Sequence, residues 1–175
     1  YGSVFFYTVQ IQASMGLSQL GLTDPARIGM LTSIASIGVP IGTVIFSRLS
    51  KTPAFKLLTV EFAMLAVGFT IMAMAADATT FLIGCFINQL GAGMLLPTLL
   101  VWAMSFLSFE IRGRGAGLWT GAFSVGQFLC SIIVPAISGE GGALGPAFQI
   151  LSYAALAGAV IAALYWMKGR GAATA

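Results

Sequence analysis

Long apolar runs, separated by short segments that hold most of the charged residues, dominate the chain. A helix of about 20 residues crosses the hydrocarbon core of a bilayer, at a rise of about 1.5 Å per residue. Runs of about this length lie at residues 2–20, 27–47, 54–75, 79–106, 115–138 and 146–167. The pattern predicts an all-α membrane protein with six transmembrane helices and short connections, in a single domain over residues 1–175.

Polar or small residues followed by proline mark the starts of three predicted helices. Asp24, Thr52 and Gly145 each precede a proline. A cap residue followed by proline at the first helical position is typical of a helix N-terminus. We therefore expect the second, third and sixth helices to begin at these prolines.

Four predicted helices carry polar side chains at helical spacing, which is typical of a face turned towards protein or water. These residues are Ser3, Tyr7, Gln10, Ser14 and Ser18 in the first helix, Ser33, Ser36, Pro40, Thr43 and Ser47 in the second, Asn88 beside Gln89 in the fourth, and Thr120, Ser124, Gln127 and Ser131 in the fifth. The third and sixth helices have almost none in their central turns. The order predicts two three-helix inverted repeats, as in transporters.

The larger polar side chains lie near the middle of their helices, about 8 to 12 residues or 12 to 18 Å from the helix starts. We therefore predict a solute cavity near the membrane midplane. Its lining residues are Tyr7, Gln10, Ser14, Ser36, Asn88, Phe123 and Gln127. The alternative for each Ser or Thr is a hydrogen bond to the carbonyl four residues earlier. Gln12 and Gln89 lie off the main polar faces. A neutral lining favours a neutral, amphipathic or weakly polar solute.

Composition agrees with a chain embedded in lipid. It is 58% hydrophobic and 7% charged, whereas about a quarter of the residues in soluble domains are charged. The chain has no His, and Cys85 and Cys130 lie inside apolar runs. It therefore lacks metal-binding motifs and the serine–histidine pair of an intramembrane protease. We expect no enzyme activity, no cofactor and no metal.

The net charge of +3 reports orientation in the membrane and gives no evidence for nucleic-acid binding. Cytoplasmic loops retain Lys and Arg. The basic residues Arg48, Lys51 and Lys56 follow the second helix, Arg112 and Arg114 the fourth, and Lys168 and Arg170 the sixth. Arg27 falls on the opposite side with Asp24, Asp77 and Glu140. The count predicts an integral protein of the bacterial inner membrane with both ends in the cytoplasm.

Prolines occur inside the second, fourth and fifth helices, at Pro40, Pro97 and Pro135. Each frees the carbonyl four residues earlier and favours a bend. At Pro97, three small residues at 91–93 precede the proline, and we predict a bend that takes part in gating. The alternative for this segment is close helix packing through small residues.

Glu61 is the ionisable residue that lies well within a predicted span. We expect a carboxylate near the cytoplasmic boundary, paired with Arg48, Lys51 or an arginine of the loop after the fourth helix. Proton coupling is the alternative role.

Two segments resemble a known family. "SRLSK", residues 47–51, occupies the place of a loop that resembles G-x-x-x-D-R-x-G-R-R in major facilitator superfamily transporters. Arg48 and Lys51 match basic positions, while Ser47 and Ser50 replace the aspartate and glycine. "RGRGAGLWTGAFSVGQFL", residues 112–129, resembles the arginine-bearing loop and eleventh helix of efflux-type bacterial permeases. The chain as a whole resembles the C-terminal six-helix half of such a transporter.

The resemblance implies one half of a secondary transporter that moves a small solute by alternating access. It implies a cytoplasmic gate that includes Arg48, Lys51, Glu61, Arg112 and Arg114, although simple anchoring of the arginines is the alternative. Because the chain begins at Tyr1 without Met, we expect it to work with an N-terminal half that carries the coupling carboxylates. We expect proton-coupled export. The alternatives are an uptake symporter for a metabolite or sugar and a non-transporting membrane sensor or assembly subunit.

Overall fold

The computed structural model describes residues 2–139 and 142–173, with side chains described up to residue 169. Glu140 and the side chain of Arg170 therefore lie outside the described residues. The helices are α1 (Gly2–Gln19), α2 (Pro25–Ser36), α3 (Gly38–Leu49), α4 (Ala54–Met74), α5 (Ala78–Ser105), α6 (Arg112–Ser138) and α7 (Leu144–Ala173), with a 3-10 turn at Phe109–Ile111. Residues 2–139 and 142–173 contain no β-strand. The prediction of an all-α chain is confirmed.

In the described part of the chain, five helical segments are long and apolar enough to cross a membrane, which indicates an integral membrane protein. They are Pro25–Leu49, Ala54–Met74, Ala78–Ser105, Phe109–Ser138 and Leu144–Gly169. The first of these joins α2 and α3. Helix α1 has 18 residues but carries Gln10, Gln12 and Gln19, and it is not among these apolar segments. Its crossing of the membrane stays a prediction.

The three predicted helix starts have different outcomes. Asp24 caps α2, since its side chain accepts a hydrogen bond from the Ala26 N–H at 3.0 Å. Thr52 does not cap α4, because Pro53 adopts an extended conformation there and the helix begins one residue later. Helix α7 begins at Leu144, ahead of the predicted start. The Leu144 N–H donates to Gln19 Oε1 at 3.2 Å, so a side chain from α1 satisfies a donor of the first turn that has no partner within the helix.

Helix α5 begins with a cap that the proline pattern did not indicate. Asp77 Oδ1 accepts from the Thr80 N–H at 2.9 Å, and Oδ2 accepts from the Thr80 hydroxyl at 2.6 Å. The hydrogen bond from the Thr80 side chain, followed by that from its backbone, holds the pKa of Asp77 below its usual value.

Bends were predicted at Pro40, Pro97 and Pro135, and the helix is interrupted only near Pro40 in the described residues. Helix α2 ends at Ser36 and α3 begins at Gly38. Between them, the Ile37 N–H donates to Ile34 O at 3.1 Å, which is a tighter turn than in an α-helix. Pro97 and Pro135 lie inside helices that continue without a break.

Helix α4 packs extensively against α5 and α7. Its face towards α5 is held at close range by glycine. A Cβ on Gly68 would lie 2.7 Å from the Cβ of Asn88, and a Cβ on Gly84 would lie 2.9 Å from Gly68 O. Towards α7, Phe69 stacks on Phe148 with ring centroids 6.2 Å apart. Both rings are fully buried, so α4 contributes to the core through its contacts with both α5 and α7.

Two further pairs of helices, α3 with α5 and α1 with α6, pack in parallel. Helix α3 runs beside α5, where a Cβ on Gly38 would lie 2.8 Å from Phe86 O and Gly42 lies against Leu90. Helix α6 runs beside α1, where the Thr8 hydroxyl lies 3.4 Å from Cys130 Sγ. Along α3 and α5 the contacting residue numbers rise together, and on α1 and α6 Ser3 lies against Gly126 and Thr8 against Cys130, so the two helices of each pair point the same way. Helices α1 and α5 are antiparallel, as are α4 and α7.

Candidate functional site

Aromatic side chains from α1 and α6 lie against one another and form the candidate site. The rings of Tyr7 and Phe123 are 5.4 Å apart, and Phe6 and Trp119 lie 6.0 and 6.1 Å from Phe123. We call Phe6, Tyr7, Trp119 and Phe123 the aromatic cluster. The parallel packing of α1 and α6 thus brings together two residues that the sequence analysis assigned to the cavity, Tyr7 and Phe123.

A cavity of about 310 Å³ lies beside the aromatic cluster. Its lining comes from α1, α4, α5 and α6, with the residues Gly2, Ser3, Phe62, Leu99, Trp119, Ala122 and Phe123. Pockets that hold small molecules have volumes of about 300 to 1,000 Å³, mostly apolar walls and a few polar groups. The cavity is at the lower end of this range, and its Ser3 hydroxyl is the polar group in a largely apolar lining. These features suit a small amphipathic molecule.

Gln10 connects this region to α5. It is exposed on α1, and its Nε2 donates to Gln89 Oε1 at 3.4 Å. Gln89 is fully buried, and its own Nε2 has no hydrogen-bond partner. A buried amide donor without a partner costs about 1 to 3 kcal/mol. The pair therefore offers an unused donor next to the open side of α1.

The assignment of Asn88 to the cavity lining is wrong. Asn88 is fully buried, and its Nδ2 donates to Leu65 O on α4 at 3.4 Å. Helix α5 is covered by α4 on one side and by α1 and α3 on the other, so adjacent residues face different neighbours. The Asn88 side chain faces α4, and Gln89 is the residue that approaches α1. The sequence analysis missed Gln89 because it assumed one polar face for each helix.

The other predicted cavity residues are not joined to the aromatic cluster by hydrogen bonds. Ser14 is exposed on α1, and Gln127 is exposed on α6. Ser36 is half-buried, and its hydroxyl donates to Thr32 O at 2.9 Å. Within the described part of the chain, no hydrogen bond joins these three side chains to Tyr7, Gln10 or Phe123.

Most hydroxyl groups of the polar stripes bond to their own helix. Ser18 donates to Ser14 O at 3.0 Å, and Ser124 donates to Thr120 O at 3.0 Å. Ser33 and Thr120 make the same bond to the carbonyl four residues earlier. This is the structural alternative that the sequence left open, and such a hydroxyl is already satisfied without a solute.

Thr43 has a role that the stripe did not indicate. Its hydroxyl lies 3.1 Å from Gly93 O on α5 and 3.1 Å from Val39 O on its own helix, so its one hydrogen is shared between these two acceptors. Pro97 has no N–H, so it leaves the Gly93 carbonyl without its helical donor. A side chain of α3 therefore satisfies the group that the proline of α5 leaves free. The segment before Pro97 is also closely packed, since Gly93 lies against Val39 of α3.

The prediction that Glu61 pairs with a loop cation is wrong. Glu61 is fully buried, and its Oε1 lies 2.5 Å from the Thr98 hydroxyl. Arg48 and Lys51 are exposed. The reason is the direction of the side chain, because Glu61 lies on the α4 face that includes Leu65 and packs against α5, away from the loops.

The two arginines of the predicted gate lie at the start of α6. Arg112 and Arg114 are both exposed, and Arg112 Nε donates to Leu107 O at 3.3 Å. Both belong to the first turn of α6 and not to a loop. Cations stabilise the C-terminal end of a helix and not its N-terminal end, so these arginines are not placed there to stabilise α6.

No family model, no curated protein and no solved structure matches the chain. The family resemblance therefore rests on the two segments quoted above, residues 47–51 and 112–129. The geometry of the aromatic cluster, the cavity and the Gln10–Gln89 pair is independent of that resemblance.

Proposed function

We propose that this bundle is half of a secondary transporter of the major facilitator type, which exports a small, neutral, amphipathic solute by alternating access and proton coupling. The observation that carries the proposal is the aromatic cluster beside the 310 Å³ cavity. Its walls come from four different helices, so a relative movement of these helices changes its shape. A static binding protein has no need for such a division.

The pairing of the helices supports an internal two-fold relation. We count α1 as the first crossing, α2 with α3 as the second, and α4 to α7 as the third to sixth. A two-fold exchange of the first three crossings with the last three would interchange the parallel pairs α3–α5 and α1–α6. It would also map the antiparallel pairs α1–α5 and α4–α7 onto themselves. Inverted repeats of this kind are typical of secondary transporters, whose substrates bind between the repeats. The contact between α4 and α5 is extensive, whereas its counterpart between α1 and α7 is sparse, so the relation is approximate.

Polar groups of α1 and α5 that lie outside the cavity lining fit a neutral cargo. Gln10 and Gln89 supply amide groups, and Tyr7 supplies a phenol with an aromatic face. No charged side chain belongs to the lining of the 310 Å³ cavity in the described part of the chain. An amphipathic solute would place its apolar part against Phe123 and its polar part towards the amides.

Solute flux in proteoliposomes tests the proposal. The complete protein that carries this chain is reconstituted, and exchange of labelled for unlabelled solute is measured with glucose and chloramphenicol as a polar and an amphipathic neutral probe. We expect exchange of the amphipathic probe. Phe123→Ala, at the cavity, should weaken its apparent affinity, whereas Phe128→Ala, at an exposed position on the same helix, should not. Equal effects of the two variants would contradict the cavity assignment, and absence of exchange would favour a non-transporting sensor or assembly subunit.

A further inference from the structure

The carboxyl group of Glu61 has surroundings that differ from those of the other acidic residues in the described part of the chain. Asp24, Asp77 and Glu110 are exposed, whereas Glu61 is fully buried between α4 and α5. Its Oε1 contacts the Thr98 hydroxyl, and its Oε2 has no hydrogen-bond partner. An ionised carboxylate that is buried in this way, without a cation, carries a desolvation cost of several kcal/mol.

The hydrogen bonds around Thr98 indicate where a proton is held. Thr98 Oγ1 lies 2.5 Å from Glu61 Oε1 and 3.0 Å from Met94 O. A hydroxyl group has one hydrogen, and the Met94 carbonyl can only accept. If Glu61 is ionised, Thr98 can serve one of the two acceptors. If Glu61 is protonated, its O–H donates to Thr98 and Thr98 donates to Met94, so both contacts become hydrogen bonds.

No cation in the surrounding helices compensates Glu61. On α4, the Lys56 ammonium lies 5.8 Å from the Trp166 ring. Arg48 at the end of α3 and Lys168 on α7 are exposed. On α5 the titratable group is Cys85, which lies on the opposite side of Asn88 from Thr98 along that helix. Tyr165 of α7 stacks on Phe55. None of these groups forms a hydrogen bond or an ion pair with the carboxyl group of Glu61 in the part of the chain described.

A second cavity lies next to Thr98, the residue that contacts this carboxyl group. It has a volume of about 200 Å³ and lies between the end of α3, the start of α4 and the end of α5. The hydroxyls of Ser50, Thr52 and Ser105 belong to its lining, and Thr98 does too. A cavity of this size holds several water molecules, since one water occupies about 30 Å³ of liquid. Thr98 therefore lines this cavity and also contacts Glu61.

We propose that Glu61 is the group that binds and releases the coupling proton, an assignment that rests on the proposed transport function. In the arrangement described here the carboxyl group holds the proton. When the Thr98 contact opens, the carboxylic O–H bond breaks and the proton passes to a water molecule in the 200 Å³ cavity. When the contact closes again, the Thr98 hydroxyl donates to the carboxylate. Pro97, the residue before Thr98, gives α5 a point at which a bend alters this contact.

Infrared spectroscopy of the purified protein in lipid tests the proton site without any transport measurement. At neutral pH we expect a carboxylic acid C=O band in the wild type. Glu61→Gln should abolish this band, whereas Glu110→Gln, at an exposed position, should leave it. Thr98→Val should shift the band because the acid loses its acceptor, and Thr98→Ser should restore its position. A band that persists in Glu61→Gln, or that is insensitive to Thr98→Val, would overturn the assignment.

Transport measurements separate the coupling of transport to protons from the binding and exchange of the solute. In proteoliposomes with labelled chloramphenicol, Glu61→Gln should retain solute exchange but lose accumulation driven by a pH gradient. Retention of gradient-driven accumulation would overturn the coupling role. If the wild type shows neither exchange nor accumulation, the proposed transport function fails and coupling fails with it, while the infrared band still decides whether Glu61 holds a proton.

Discussion

Helices α5 and α6 look alike in sequence and differ in packing. Both have an internal proline and several glycines. In α5, added Cβ atoms on Gly84, Gly91 and Gly93 would collide with the backbone or side chains of α3 and α4. In α6, Gly115 and Gly126 lie against Leu107 and Ser3, whereas Cβ atoms on Gly117 and Gly121 would have no neighbour within 4 Å. Glycine spacing thus shows where a helix permits close approach, and the neighbouring helix decides whether the approach occurs.

The difference extends to the polar residues of the two helices. Asn88 and Gln89 of α5 are fully buried, whereas Thr120, Ser124 and Gln127 of α6 are exposed. On α6 the exposed polar positions lie beside the line of Gly126 and Cys130 that packs against α1. Under the proposed function, α5 holds the bundle together and α6 presents the surface that a solute or the other half of the transporter meets.

The substitution with the largest expected effect, Gly84→Leu, disrupts the packing of α5 against α4. Gly84→Leu places a side chain where Gly68 O lies 2.9 Å and Met72 N 3.0 Å from the Cβ position. Because these atoms belong to the backbone, they cannot move aside, and the cost should exceed the usual overpacking cost of about 1 to 3 kcal/mol. Gly117→Leu on α6 is the matched control and should fold normally. The thermal midpoint of each purified variant measures the difference, and equal midpoints would contradict the contrast.

The next effect concerns the two prolines. Pro97→Ala restores an N–H that can donate to Gly93 O, so the Thr43 hydrogen bond is no longer needed and α5 can straighten. We expect turnover of the chloramphenicol probe to fall roughly tenfold, equivalent to about 1.4 kcal/mol in the barrier, with protein level unchanged. Pro135→Ala, at an exposed position in α6, should have a smaller effect. Unchanged turnover in Pro97→Ala would remove the gating hypothesis.

A smaller expected effect, on the apparent affinity for the solute, distinguishes the amide side chains of Gln89 and Gln127 from that of Asn88. Gln89→Ala and Gln127→Ala should each change the apparent affinity for the solute about fivefold, as expected for loss of one hydrogen bond of about 1 kcal/mol. Gln149→Ala, on α7, provides a matched control and should have no effect. Asn88→Ala should instead lower the thermal midpoint, because its partner is Leu65 O. An affinity change in Asn88→Ala as large as that in Gln89→Ala would support the assignment of Asn88 to the cavity lining.

The smallest effect concerns the helix starts. Asp77 caps α5, whereas Ile111 at the start of α6 makes no side-chain cap bond. Because the Thr80 contacts lower the pKa of Asp77 in the folded protein, its contribution to stability is complete above the unfolded value of about 3.9. It is lost as the pH falls through the lower folded value. The thermal midpoint of Asp77→Ala should therefore fall less on acidification than that of the wild type. Identical slopes would contradict the cap.

Helix lengths could be predicted from the sequence because an apolar run has to match the thickness of the bilayer. The predicted third helix, 54–75, and the observed Ala54–Met74 differ by one residue. The start of α7 could not be predicted in this way, because Gln19 from another helix supplies the acceptor for Leu144. Boundaries that depend on a distant side chain have no local signal.

Rotation of the helices about their axes was predicted less well. Asn88 and Gln89 are adjacent in sequence and about 100° apart around the helix, and packing on both sides of α5 decides which one approaches α1. The same applies to Glu61, whose distance from Lys56 along the chain suggested a cytoplasmic partner. A glycine at Gly91 on α5, against Glu61 O, marks the contact in hindsight, but one sequence does not show which helix supplies the neighbour.

Gln19 has a consequence for how the bundle moves. Its Nε2 donates to Gly142 O at 2.7 Å and its Oε1 accepts from Leu144 N, so one amide joins the C-terminal end of α1 to the connection before α7. Displacement of that end alone would break both hydrogen bonds, at about 1 kcal/mol each. This cost favours movement of the C-terminal end of α1 together with the start of α7.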